Sequence, residues 1–194
     1  MPTRVAERSL ARCAAAFACA SLLGCAPAAP PPDGPDAKPL SSVGEAPASG
    51  DPVSFTWQTT TGQPLTSREL LGRVTVLVFV TTYDVPSQAQ VRFASSLSKQ
   101  HTPRLNVVAV VLEPPENQPL AAAYADMLDL GYPVVIGDAA TIRGEGPLAG
   151  LHHVPAIAIL DREGRERFRH LGLMDQPALD AAVKRVEAQI GPPK

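Results

Sequence analysis

Seven consecutive residues, Val74–Val80, read Val-Thr-Val-Leu-Val-Phe-Val, without a charge and without polar alternation. A strand with one face in water alternates apolar and polar side chains. A strand without that alternation is covered on both faces. A second such run occupies residues 106–112, and shorter ones occupy Val134–Ile136 and Ala156–Leu160. Segments with helical spacing separate them. This order predicts an α/β layered fold, in which a central mixed sheet is flanked by helices.

Around these strands, residues 53–58 read as an edge strand and Gly62-Gln63-Pro64 as a turn. Residues 67–71 form a short helical turn that Gly72 closes. A helix is predicted from about Pro86 to Lys99, with Ala89, Val91, Phe93, Ala94 and Leu97 on its apolar side. Residues 118–130 repeat Leu120, Ala123, Tyr124, Met127 and Leu128 at helical spacing, with Asn117 as the cap and Gly131 as the stop. Residues 167–170 pair with Ala156–Leu160 across the turn Asp161-Arg162-Glu163-Gly164. The last helix starts near Asp175, turns Leu179, Val183, Val186 and Ile190 inward, and ends at Gly191-Pro192.

The N-terminal quarter has a different composition. Arg4, Arg8 and Arg12 precede a short apolar run that closes on Leu22-Leu23-Gly24-Cys25. A basic segment and an apolar segment too short to span a bilayer read as a signal peptide over residues 1–24. The closing four residues resemble a lipobox, which implies cleavage before Cys25, lipidation of that cysteine and export. Several acyl chains at Cys25 would anchor the chain stably to a membrane, with its domain in the periplasm or at the cell surface. Ala26 after the cysteine gives no inner-membrane retention signal of the aspartate type, which by resemblance to other lipoproteins leans toward the outer membrane and leaves inner against outer open. Residues 25–52 are rich in Ala, Pro, Ser and Gly and nearly free of large apolar side chains, so they read as a disordered tether. The folded domain is expected over residues 53–194.

Cys13, Cys19 and Cys25 are the only cysteines in the 194 residues. The domain therefore has no thiol for a disulfide, a nucleophile or a thiolate metal site. A formal net charge of −2 gives no basic face for nucleic acid.

Residues 54–90 resemble the opening of TlpA- and ResA-like thioredoxin domains, in which a strand, a glycine turn and a buried strand lead into Trp-Cys-x-Pro-Cys at a helix start. His153-Val154-Pro155 and the run through Asp161 and Gly164 resemble that family's cis-proline segment. The spacing between the two motifs resembles members with an extra strand–helix insert. The resemblance covers roughly residues 50–190. It implies a thioredoxin-like fold and a cis bond before Pro155. It also implies that Asp84 and Ser87 stand where the family has its two cysteines. Val78 falls where thioredoxins often keep a buried polar residue.

A carboxylate and a hydroxyl cannot perform thiol–disulfide exchange, so no catalytic residue and no cofactor are expected. Asp84 reads instead as the N-cap of the helix, with Pro86 in its first turn and Ser87 filling space. Tyr83, Val85, Val154 and Pro155 are expected to line a groove in which the backbone before the proline pairs with an extended peptide. His152 and His153, with Asp84 and Glu113, are weak candidates for a metal. Three functions are weighed: a redox-inactive protein- or peptide-binding or assembly module of the cell envelope, a divergent thiol–disulfide oxidoreductase or peroxidase with non-cysteine chemistry, and a Sco-like metal carrier using His153. The first is preferred.

Overall fold

The computed structural model describes residues 50–190 and the backbone pair Val43–Gly44. The chain divides into the units Met1–Ala37 and Lys38–Lys194, and every described residue belongs to the second. The expected signal peptide, Cys25, nearly all of the expected tether and the expected helix stop at Gly191-Pro192 lie outside the described residues. Among those described, no helix is long and apolar enough to cross a membrane.

Among the described residues, eight strands form one mixed sheet. In chain order they are β1 (Val43–Gly44), β2 (Thr56–Thr59), β3 (Pro64–Thr66), β4 (Val74–Val80), β5 (Leu105–Val111), β6 (Val134–Ile136), β7 (Ala156–Leu160) and β8 (Glu166–Leu171). Their order across the sheet is β1-β8-β7-β4-β5-β6-β2-β3. Strand β4 is parallel to β5 and antiparallel to β7, so it lies at the centre, and all seven of its residues are buried. The helices are α1 (Val85–His101), α2 (Gln118–Met127), α3 (Ala139–Ile142) and α4 (Gln176–Ile190). This is the thioredoxin-like architecture that the sequence predicts, with β6 and α2 as the insert.

The two faces of β4 are covered differently. Val74, Val76, Val78 and Val80 share a core with Val91, Ala94 and Leu97 of α1 and with Leu179, Val183 and Val186 of α4. Leu77 and Phe79 point the other way, into a core with Phe55, Trp57, Leu148 and Leu151. An aromatic stack closes that face, because the Phe55 and Trp57 rings lie 3.8 Å apart and Phe79 meets Trp57 edge-on. Covering both faces with apolar groups is why the β4 pattern can be unbroken.

Several local readings are corrected. Residues 53–58 do not form an edge strand: β2 is inside the sheet, and β3 with Pro64 takes the edge, where a missing N–H costs nothing. Asn117 makes no side-chain cap on α2. That helix ends at Met127, and Asp129, not Gly131, turns the chain with φ 49°. Leu120, Ala123 and Met127 are exposed; Ala121 and Tyr124 face the core instead. The helical period was right but the buried stripe lies about a quarter-turn away. The sequence also hid α3 and the loop after it, which Arg169 pins by pairing with Glu166 and donating to the Ala149 carbonyl.

Candidate functional site

The four residues expected to line a groove, Tyr83, Val85, Val154 and Pro155, issue from one end of the sheet. In the β4–β7 ladder Phe79 sits opposite Ala156. The residues that follow β4 therefore leave the sheet beside those that precede β7. The first group carries Tyr83 and Val85, which are 77% and 73% exposed. The second carries Val154 and Pro155, joined by a cis bond. The Pro155 carbonyl accepts from Gly172 N–H, but among the described residues neither the amide nor the carbonyl of Val154 is paired.

The start of α1 is built from its own sequence. Asp84 has extended backbone angles, and its Oδ2 accepts from the Ser87 amide at 2.8 Å and from the Ser87 hydroxyl at 2.7 Å. The carboxylate satisfies a free amide at the positive end of the helix. Pro86, in the first turn, needs no hydrogen-bond partner there. Ser87 is fully buried, and its Oγ also accepts from the Thr81 amide at 3.3 Å. That hydroxyl thus ties the end of β4 to the helix, which is more than filling space, and its burial leaves no access for a substrate.

Beneath the loop lies Glu113, only 2% exposed. Its Oε1 accepts from the Thr82 amide at 2.6 Å, and its Oε2 accepts from Asn117 Nδ2 at 2.8 Å. A buried carboxylate is tolerated when both oxygens are bonded. Glu113 therefore clamps residues 81–82 from below and helps hold Tyr83 outward. Tyr124 of α2 lies close by: burial, then the charges of Asp84 and Glu113, push its hydroxyl up to about 12. The sequence placed Glu113 among weak metal candidates and missed this clamp. An acid directly after a buried strand was the available signal.

His152 and His153 are exposed and their rings lie 4.2 Å apart. Asp84 and Glu113 are spent on Ser87, Thr82 and Asn117, and among the described residues no hydrogen bond or ion pair joins either to the histidines. Among the described residues no three His, Cys, Asp or Glu side chains cluster as a metal would require. Val78 is buried in the α1–α4 core.

No protein-family model matches the sequence, and no curated protein matches it. Solved structures do. A secreted disulfide oxidoreductase of Mycobacterium tuberculosis, homologous to DsbE of E. coli, superposes with a TM-score of 0.56 at 18% identity, over 68% of this chain and 95% of that one. A DsbF homologue from Corynebacterium diphtheriae gives 0.63 at 15% identity, over 78% and 96%. An exposed lipoprotein thioredoxin of Streptococcus pneumoniae gives 0.57 at 18% identity, over 69% and 99%. The chain shares the thioredoxin-like fold of these thiol–disulfide proteins, whereas residues 50–190 carry no cysteine.

Proposed function

We propose that this chain is a membrane-tethered, redox-inactive thioredoxin-like module of the cell envelope that binds an extended peptide segment of another protein. The observation that carries this reading is the unpaired Val154 backbone at the sheet end from which exposed Tyr83 and Val85 also project. An extended peptide pairing with Val154 gains main-chain hydrogen bonds, and Tyr83 and Val85 supply apolar contact. Lipidation at Cys25 would keep that groove at a membrane surface. The name of the neighbouring oxidoreductases does not transfer, because fold carries no activity when the reacting thiols are missing.

The test uses the full chain as bait in native envelope extracts, beside a Tyr83→Ala/Val85→Ala variant whose fold is checked by the fluorescence of the sole tryptophan, Trp57. The expected result is a partner held by the wild type and lost by the variant, with insulin reduction no faster than buffer. Equal capture by both baits sinks the groove. Insulin reduction above background sinks the redox-inactive reading.

A further inference from the structure

Helix α2 leaves an apolar stripe in solvent. Leu120 is 52% exposed and Met127 is 70% exposed, and Ala123 lies exposed between them. At 100° per residue these three fall within about 60° of one another, while the stripe through Ala121 and Tyr124, about a quarter-turn round the helix, faces the core. Nothing in α2 requires a large apolar residue at 120 or 127: the helix already buries its core-facing side through Ala121 and Tyr124.

Along this stretch of chain, charge is of one sign. Residues 105–142 contain no Lys or Arg but hold Glu113, Glu116, Asp126, Asp129 and Asp138. Glu113 is consumed by its internal bonds, and Asp138 caps α3 by accepting from the Thr141 amide. Glu116, in the 3-10 turn before α2, lies four residues ahead of Leu120, Asp126 immediately precedes Met127, and Asp129 follows it in the turn that ends the helix. All three are exposed, and none makes an ion pair or a side-chain hydrogen bond among the described residues. An apolar stripe with unpaired carboxylates before it and after it in the chain repels anionic headgroups and favours a cationic partner. Leucine and methionine suit a helical ligand, because methionine adapts its shape to the side chains that meet it.

We infer that the outer side of α2 is a second docking surface, distinct from the groove, for an amphipathic helix of a partner protein whose apolar stripe is flanked by Lys or Arg. The partner's apolar residues cover Leu120, Ala123 and Met127, and its cations meet Glu116, Asp126 and Asp129.

The full chain contains three methionines, Met1, Met127 and Met174, and Met174 is buried. Labelling their methyl groups with carbon-13 gives one reporter on the surface and one inside the core. The probe is a helical Leu/Lys peptide with lysines on both flanks of its leucine stripe. The expected result is a saturable shift of the Met127 methyl with Met174 unmoved. Asp126→Asn and Asp129→Asn should each weaken binding about two- to fivefold at low salt, the range of exposed ion pairs. Leu120→Ser should weaken it further, and Tyr83→Ala should leave it as in wild type, whatever becomes of the groove. An unmoved Met127 overturns the inference, as does an equal shift with a Leu/Glu peptide or indifference to both Asp substitutions. A shift produced by anionic lipid vesicles but not by the peptide assigns the surface to a membrane and overturns it too. Loss of binding in Tyr83→Ala denies that the surface is distinct.

Discussion

At the residue scale, Asp84 and Ser87 show what a thiol-free helix start can be. One carboxylate oxygen takes two bonds from Ser87, and the serine hydroxyl in turn takes the Thr81 amide. Replacing Asp84 with Ala removes the cap and leaves the Ser87 hydroxyl without its acceptor. Such caps are worth about 1 kcal/mol, within a range of about 0.5–2. Asp84→Ala is expected to lower stability by that amount in urea denaturation followed by Trp57 fluorescence, and Asp84→Asn should recover most of it. Equal losses for Ala and Asn would show that the site does not act as a cap. Asp84 as a cap was legible in sequence, because capping is local: donor and acceptor are three residues apart. The Glu113 clamp was not legible, since its partner Thr82 lies 31 residues earlier on another strand's exit.

At the element scale, the connection from β6 to β7 is where sequence patterns said least. Its short helix α3 is capped by Asp138, and Thr141 accepts from the Trp57 indole at 3.2 Å. Gly144 sits at φ +71°, and a methyl group there would run into the ring and Cβ of His152. A left-handed backbone alone costs a non-glycine residue about 1–2 kcal/mol. Gly144→Ala is therefore expected to destabilise by at least about 1 kcal/mol and to displace His152 from His153, visible as changed imidazole resonances. Unchanged stability would mean that the loop opens freely at this point. Helix α2 teaches a related lesson. Its spacing predicted a helix, but both sides of it carry apolar residues, so the pattern could not say which side the sheet would take. Asn117 was placed correctly at the helix start but is drawn away from capping by Glu113.

At the scale of the whole molecule, two buried phenols link folding to alkaline pH. Tyr124 is pushed up to about 12 by burial, with the Asp84 and Glu113 charges adding to it. Tyr132, whose hydroxyl donates to the Val91 carbonyl, is raised further, chiefly by burial. In the unfolded chain both ionise near the usual 10.0. Above that pH the unfolded state binds fewer protons than the folded one, so stability falls as pH rises. Their contribution is complete below pH 10 and is lost progressively as pH rises toward 12 and beyond. For Tyr124 the loss is on the order of 2 kcal/mol. Tyr124→Phe should flatten the decline in denaturation midpoint between pH 9 and 11; an identical decline in the variant would remove Tyr124 from the account.

What the sequence determined alone were properties carried by near neighbours or by residue type. The unbroken apolar runs required strands covered on both faces, the period of 3.6 located α1, α2 and α4, Asp84 and Pro86 marked the start of α1, and the confinement of cysteine to the first 25 residues removed thiol chemistry from the domain. The tertiary structure decided what depends on contacts between distant elements. It placed β2 inside the sheet and β3 at its edge, turned Leu120 and Met127 outward, buried Gln90 so that it accepts from the Met174 amide, and set Glu113 beneath Tyr83. Those outcomes follow from which surfaces meet once the sheet is assembled, and a one-dimensional pattern holds the period of a surface without holding its partner.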